Sequence, residues 1–371
     1  MPSVREHQPD YILGLTIIAL LLFGLVMLAS AGSVLGYQRF GDSNFFAKRQ
    51  MVSILVGLVF FFIAYRLDYH RWQQWSVPIL VVTVALLLAV FLPGLGSYFL
   101  GARRWINFGW FLVQPSELAK LTMVIYLAAW FERRPHQLNE VQATLVPFLT
   151  TVGLVAGLIL AEPDLGTTTI VLVTSMVLYF VAGGPWRYLF AFGTAGLALF
   201  LMIIKLAPYR AQRFTVFLNP NLDPLGIGYH INQALLAIGS GGLFGLGLGH
   251  SRQKFNYLPE PAGDSIFAVV AEELGWIFVT IFVLAWMIFL HRGLSIARQA
   301  PDRFGQLVAT GITSWLGFQA FLNIGALSGV VPLTGVPLPF LSHGGSAIIT
   351  GLTAIGILMN ISRQTVQGGR L

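Results

Sequence analysis

Long apolar runs recur along this chain from Tyr11 to Asn360, with polar segments between them. A helix of about 20 apolar residues crosses a hydrocarbon layer of about 30 Å, and the runs are of that length. The alternation of apolar and polar residues that marks an outer-membrane barrel is missing, so a helical bundle is the remaining way to span a membrane. The chain is 56% hydrophobic and only 10% charged, which indicates an integral membrane protein.

We predict an all-α integral membrane protein with ten transmembrane helices, in one polytopic domain over residues 1–371. The spans are expected near 11–30, 49–66, 75–93, 115–131, 143–161, 165–182, 188–208, 265–290, 305–329 and 345–361. The outer loop between the seventh and eighth spans, 209–264, is too long for an ordinary connection. We expect short amphipathic helices there, lying on the outer interface or dipping into it.

Ten spans place both termini on one side, and the Lys and Arg distribution indicates that this side is cytoplasmic. The segments on that side hold Arg5, Arg66, Arg71, Arg133, Arg134, Arg187, Arg292, Arg298, Arg303, Arg363 and Arg370. The short segments on the other side hold only Arg39, Lys48, Arg49, Arg103 and Arg104. The first run lacks a small-residue cleavage site and is predicted to be a retained span. No basic run or aromatic–basic repeat indicates nucleic-acid binding.

The first polar cluster is GARRWINFGWFLVQPSELAK, residues 101–120. Pro115 and Ser116 indicate a helix start, after which Glu117 and Lys120 lie three residues apart on one helical face. Two interpretations remain open. The pair is either an ion pair within the helix or the charged lining of a cavity for a polar substrate.

The second cluster is AEPDLGT, residues 161–167, between two closely spaced spans. Asp164 lies near the start of the next helix, where a carboxylate caps backbone N–H groups and interacts favourably with the helix dipole. The alternative is a pairing network in which Glu162 and Asp164 meet Arg103, Arg104 or Lys120.

The third cluster runs from the glycine-rich stretch IGSGGLFGLGLGH to Asp264, just before the eighth span. No Lys-Ser/Thr follows the glycines, so a nucleotide-binding loop is excluded, and close backbone approach to a ligand or a neighbouring helix is expected. Asp264 is either the N-cap of the eighth span or a general base. The cations of the loop, and Glu272 and Glu273 further along the helix, favour the second role.

The fourth cluster, SGVVPLTGVPLPFLSHGGSA, covers residues 328–347. Its prolines suit a rigid re-entrant segment that is shielded by protein, because irregular backbone cannot face lipid. His343 is interpreted as a structural imidazole. The seven histidines of the chain are scattered without ligand spacing, so no metal site is predicted.

In this order, GARRWI, QPSELAK, EPDLGT, NPNLDPLGIGYH, IGSGGLFGLGLG, LPEPAGDSIFAVVAEELG and GVPLPFLSHGGSA resemble the landmarks of the SEDS family of bacterial cell-wall polymerases. The resemblance covers nearly the whole chain. It implies a ten-span bundle that polymerises lipid II at the outer face of the bacterial cytoplasmic (inner) membrane. It also implies a class B penicillin-binding protein as partner, among other membrane proteins of the divisome or elongasome.

Within the family, GLGLGHSRQKFNYLPEP and the terminal NISR are most similar to the FtsW branch, which serves septal synthesis, whereas GVPLPF is closer to the RodA branch. The chain departs from the family pattern at Ala262 and Gly263, where His-Thr usually precedes the aspartate, and at His343, where Tyr is usual. A mechanism that needs an imidazole at position 262 is therefore in doubt.

The resemblance implies an inverting glycosyltransferase in which Asp264 takes the proton of the acceptor hydroxyl. Lys120, Arg210 and Arg213 are expected to bind the leaving diphosphate, in a cavity shaped by Glu117. Asp164, Gln233 and Ser342 complete the expected substrate-binding set. No cofactor is required by the sequence, and Mg²⁺ or Mn²⁺ is an alternative source of positive charge. RodA-type elongation, a lipid II flippase and a scaffold for the transpeptidase remain as alternative functions.

Overall fold

The computed structural model describes residues 8–99, 102–109, 111–135, 137–138, 140–206, 215–219 and 222–365, and most of them are helical. The principal helices are α1 (Tyr11–Ala31), α2 (Ser33–Phe40), α3 (Phe45–Arg66), α4 (His70–Ala89), α5 (Pro115–Glu132), α6 (Val146–Ala161), α7 (Leu165–Val181), α8 (Trp186–Leu206), α9 (Tyr229–Ser240), α10 (Ile266–Gln299), α11 (Arg303–Leu327) and α12 (Gly345–Arg363). A π-helical turn, Val141–Leu145, leads directly into α6.

Each of the ten predicted spans overlaps one of these helices, namely α1, α3 to α8 and α10 to α12. Among the described residues, seven helices are long and apolar enough to cross a membrane: α1, α3, α4, α6 with its π-turn, α10, α11 and α12. Helix α7 is apolar but shorter. The chain is therefore a multi-pass helical membrane protein, and the count of ten crossings stays a prediction.

A small antiparallel sheet between α4 and α5 was not part of the all-α prediction. Strands β1 (Gly96–Phe99), β2 (Ala102–Asn107) and β3 (Leu112–Val113) pair in chain order. The residues follow the end of one predicted span and precede the next, so no helix provides partners for their backbone groups. Strand pairing meets that requirement locally.

Three helices begin at an aspartate that caps the first turn. Asp10, Asp164 and Asp302 each accept a hydrogen bond from the backbone N–H three residues further on, at 2.9, 2.9 and 2.8 Å. Each bond satisfies one of the N–H groups that a helix start leaves without an intrahelical partner. The capping interpretation of Asp164 is therefore confirmed.

Helices α11 and α12 form the interior of the bundle, while α3 and α4 lie at its periphery. The most apolar windows of α11 and α12 are 78% and 72% buried, against 17% for α3 and for α4. Trp315 of α11 is fully buried, whereas Val59 and Phe62 of α3 are exposed. Apolar side chains exposed on a peripheral span are expected for a surface that faces lipid.

Helix α10 is broken at Gly275, whose φ of 73° and ψ of −179° interrupt the helical hydrogen-bond pattern. The glycine-rich stretch lies against the break and supplies the missing partners. Trp276 N–H donates to the carbonyl of Gly242 at 2.9 Å, and Gly247 N–H donates to the carbonyl of Glu273 at 2.9 Å. The expected close approach of the glycines to a neighbouring helix is confirmed by these contacts.

Buried side chains reinforce the same junction. The Glu273 carboxylate accepts hydrogen bonds from Ser30 Oγ at 2.7 Å and from Lys254 Nζ at 2.9 Å. The Glu272 carboxylate accepts from Ser251 Oγ at 2.5 Å. We call residues 241–254, together with 272–277, the α10 clamp. Glu272, Glu273 and Lys254 are therefore engaged in the clamp, and their expected support for a general-base role of Asp264 stays a prediction.

Two glycines of the clamp allow a matched test of close approach. A Cβ at Gly245 would lie 2.2 Å from the carbonyl oxygen of Glu273, whereas one at Gly249 would meet nothing within 4 Å, and the two glycines have similar φ values, +79° and +83°. Gly249→Ala should therefore cost about 1 kcal/mol of backbone strain, and Gly245→Ala about 2–4 kcal/mol in total. Unfolding of both variants in mixed micelles measures the difference, and equal losses would contradict the clamp.

Candidate active site

Asp264 lies where the outer loop enters α10, and its side chain is half-buried. The helix begins at Ile266 with Ser265 in the N-cap position, and that cap has no side-chain hydrogen bond. Asp264 therefore precedes the cap, and the interpretation of Asp264 as N-cap was wrong. The helix begins at Ile266, one residue later than the start at 265 that the apolar pattern predicted.

A histidine from another helix reaches the neighbour of Asp264. His230, at the start of α9, places its Nε2 2.7 Å from Ser265 Oγ, and that hydroxyl lies 3.5 Å from Asp264 Oδ1. An imidazole is thus linked to the carboxylate through one serine, although position 262 is alanine. His230 was not among the predicted site residues, because it lies 34 positions before Asp264 and no local spacing connects the two.

A second carboxylate, Glu260, shares the electrostatic environment of Asp264. Arg39 places its guanidinium 4.0 Å from the Glu260 carboxylate. Burial raises the pKa of Glu260, Arg39 and His230 act against that rise, and the negative charge of Asp264 adds to it. Glu260 was not among the predicted site residues, although its position four residues before Asp264 is a signal in the sequence.

The proline-rich segment, residues 328–344, lies beside Asp264. A Cβ at Gly335 would be 3.5 Å from Asp264 Oδ2, so the carboxylate faces this segment. The amide of Asn323 donates to the backbone carbonyl of Asp264 at 2.7 Å and to that of Val336 at 2.8 Å. His343 N–H donates to the carbonyl of Ala262 at 2.9 Å. The backbone around Asp264 is therefore fixed by two separate contacts to α11 and the proline-rich segment.

Glu117 and Lys120 form an ion pair within α5, as one of the two interpretations of this pair predicted. Their charged atoms are 2.8 Å apart and each residue is only 2% exposed. Lys120 Nζ also donates to Gln319 Oε1 at 2.8 Å, and the Gln319 amide donates to the carbonyl of Pro337 at 2.9 Å. The pair thus holds the proline-rich segment through Gln319. A substrate-binding role for either residue stays a prediction.

The turn between α6 and α7 is held by an arginine that contacts its backbone. Arg104 donates to the carbonyls of Glu162 at 2.9 Å and Pro163 at 2.6 Å. The Asp164 carboxylate accepts from the backbone N–H and the hydroxyl of Thr167, both at 2.9 Å. Within the described ranges, neither carboxylate forms an ion pair with Arg103, Arg104 or Lys120, so the alternative pairing network is absent there.

Glu162 is a buried carboxyl group. It is 1% exposed, and neither side-chain oxygen has a hydrogen-bond partner among the residues that the structure describes. Burial raises the pKa of Glu162 to about 8, the charge of Asp164 adds to the rise, and Arg104 opposes it. An unpaired carboxyl in this environment favours its neutral, protonated form.

This pKa predicts a pH-dependent stability. The unfolded chain releases the Glu162 proton near pH 4.5, while the folded chain retains it up to about pH 8. Stability from this group is therefore present below pH 4.5 and is lost as pH rises towards 8. Glu162→Gln cannot titrate, so its melting temperature should rise relative to that of the wild type between about pH 5 and about pH 9. Glu140→Gln, at an exposed site, is the control, and parallel curves for wild type and Glu162→Gln would contradict the assignment.

The remaining predicted site residues lie in separate parts of the chain. Gln233 is half-buried on α9, one turn after His230. Ser342 is buried, and its hydroxyl accepts from Leu338 N–H at 2.8 Å, which closes a turn of the proline-rich segment. Arg210 and Arg213 lie outside the described residues. Across the part of the chain that is described, no group of three or more His, Asp or Glu side chains is arranged to hold a metal ion.

The fold and the site define a class: a multi-pass helical membrane protein with a half-buried carboxylate between the loop that precedes α10 and a proline-rich segment. The family model of FtsW, RodA and SpoVE cell cycle proteins matches residues 11–367. The chain belongs to this family, which is the SEDS family that the motifs resembled.

Relatives and solved structures agree with this membership. The chain is 43% identical to stage V sporulation protein E of Bacillus subtilis, over 97% of this chain and 99% of that protein. It is 38% identical to a probable peptidoglycan glycosyltransferase FtsW of Geobacter sp. strain M18, over 96% and 98%. A chain of a peptidoglycan synthase complex superposes with a TM-score of 0.81 at 30% identity, over 96% and 98%. RodA of Thermus thermophilus does so with a TM-score of 0.72 at 30% identity, over 97% and 98%.

Proposed function

We propose that this chain is a peptidoglycan glycosyltransferase that polymerises lipid II into β-1,4-linked glycan at the outer face of the cytoplasmic membrane. The position of Asp264 carries the proposal, because its carboxylate is half-buried, precedes the helix cap and lies beside Ser265. The names of the FtsW relatives support the activity. Septal synthesis is the proposed role, and RodA-type elongation is the alternative.

The proposed reaction joins the 4-hydroxyl oxygen of the acceptor sugar to the anomeric carbon of the donor, while the bond from that carbon to the diphosphate breaks. Because the anomeric configuration inverts, one base suffices. Asp264 takes the hydroxyl proton, and no covalent sugar–enzyme intermediate forms. Burial and the neighbouring charge of Asp264 raise the pKa of Glu260, so this second carboxyl gives up its proton less readily than a free one does.

The leaving diphosphate needs positive charge as it departs. Arg39 lies beside Glu260, and its side chain is 48% exposed, so its guanidinium is accessible to a ligand. Lys120 is buried and paired, which makes it a support for the site rather than its most accessible cation. We propose Arg39 as a further contact, alongside Arg210 and Arg213, and Mg²⁺ or Mn²⁺ bound to the diphosphate of the substrate as the alternative.

We also propose that both termini lie in the cytoplasm and that a class B penicillin-binding protein is the partner. The Lys and Arg distribution supports the orientation. Similarity to a chain of a peptidoglycan synthase complex supports the partner.

Asp264→Asn tests the assignment of the base. The amide keeps the size of the side chain but cannot take a proton, so glycan synthesis from purified lipid II in detergent should fall at least about 100-fold. Asp223→Asn is the matched control, because Asp223 is an exposed aspartate of the same outer loop that holds a local turn. Near-normal turnover by Asp264→Asn would refute the assignment. Lipid movement across liposomes without polymer would instead support the flippase.

The link from His230 through Ser265 to Asp264 gives a double-mutant prediction. His230→Ala and Ser265→Ala should each lower kcat about tenfold with KM unchanged, on the scale of a hydrogen bond to a charged group. The double variant should lose little more than either single variant, since both remove one linked interaction. Both single variants should shift the acidic limb of the pH–rate profile in the same direction. Additive losses, or an unchanged profile, would exclude a positioning role for His230.

A further inference from the structure

A cavity of about 330 Å³ opens between α4 and α5, at the end of the bundle opposite to Asp264 in the predicted topology. Its lining includes Ser76, Tyr126, Trp130, Arg133, Arg134 and Gln137. None of these residues belongs to the candidate active site. The combination of two guanidinium groups, indole and phenol rings and neutral polar groups is suited to an anionic ligand with an apolar portion.

The two arginines of the cavity retain their charge for a ligand. In the described part of the chain, neither Arg133 nor Arg134 lies within ion-pair distance of a carboxylate. Arg134 stacks on the ring of Trp130, 3.7 Å from its centroid, which orients the guanidinium without neutralising it. The adjacent acid, Glu132, accepts a hydrogen bond from Gln73 at 2.7 Å. The lining therefore has a net positive charge and a fixed arginine.

A phosphate ester matches this lining. It carries the negative charge that the two arginines attract, and its oxygens accept charge-assisted hydrogen bonds from guanidinium groups.

The surroundings of the cavity indicate the membrane interface. Trp72 and Trp75 contact each other edge to face on α4, and Tyr126 contacts Trp130 on α5. Tryptophan and tyrosine concentrate at the level of lipid headgroups. Further along α4, Val77 and Val81 are 50% and 61% exposed and present an apolar surface to acyl chains. A lipid fits this arrangement because its charged headgroup would contact the basic cavity and its acyl chains would contact the exposed valines of α4.

We propose that this cavity binds the headgroup of an anionic phospholipid of the cytoplasmic leaflet. The leaflet follows from the proposed orientation of the termini, but binding does not depend on the proposed catalytic activity. Basic cavities between membrane helices on the cytoplasmic side are suited to acidic lipid headgroups. The bound lipid would hold the ends of α4 and α5 together on the side remote from catalysis.

The test uses the full-length protein in detergent, with bound lipid measured by native mass spectrometry during titration with phosphatidylglycerol or phosphatidylcholine. Wild-type protein should retain phosphatidylglycerol at least about tenfold more tightly. Joint replacement by Arg133→Gln and Arg134→Gln should weaken that binding about thirtyfold, as expected for two cations at headgroup level. Arg187→Gln is the matched control, because Arg187 also stacks on an aromatic ring, that of Tyr188, and carries the same charge away from the cavity.

Three results would overturn the proposal. The first is equal retention of phosphatidylglycerol and phosphatidylcholine by the wild type, a comparison that needs no variant to fold. The second is a double variant that binds phosphatidylglycerol as tightly as Arg187→Gln does. The third is displacement of phosphatidylglycerol by inorganic phosphate at equal concentration, which would indicate a site for a free anion instead of a lipid. Unchanged lipid binding by Asp264→Asn would separate this site from the proposed function.

Discussion

A helix that breaks inside a membrane must find new partners for the backbone groups that it releases, because hydrocarbon supplies none. In this chain the break is at Gly275, and the partners are the carbonyl and N–H groups of residues 242–247. The glycine-rich stretch therefore provides the backbone hydrogen bonds that a continuous α10 would have formed within itself at this point. Since the chain returns from this stretch to enter α10 at Ile266, the clamp limits where the intervening turn, with Asp264 at its end, can lie.

The turn is held from the other side as well. Asn323 binds the carbonyl of Asp264, and His343 N–H binds that of Ala262. One contact comes from an interior helix and the other from the proline-rich segment. A carboxylate on a backbone restrained at both ends loses little conformational freedom when it meets a substrate, which is what a general base requires for a well-defined geometry.

Periodicity and apolar length predicted the helices, because both are local properties of the chain. The roles of single residues depended on information that is not local. Capping by Asp164 was predictable, since the helix start follows directly from the sequence. The exact first residue of α10, which makes Ser265 and not Asp264 the cap, was not predictable. His230 and Ser265 meet only through the packing of α9 on α10. The burial of Glu162 depends on the helices around its turn, which no spacing in EPDLGT reveals.

The buried amides explain why the proline-rich segment can lie inside the bundle. Pro332, Pro337 and Pro339 have no N–H, so the segment has fewer backbone donors of its own for its carbonyl groups. Gln50, Gln319 and Asn323 donate instead to the carbonyls of Ser342, Pro337 and Val336, at 3.0, 2.9 and 2.8 Å. Gln319 is oriented in turn by Lys120, whose charge is balanced by Glu117. The buried ion pair therefore acts on the site through an amide and a backbone carbonyl. This accounts for two buried charged residues in the first two turns of α5 without requiring either of them to touch the substrate.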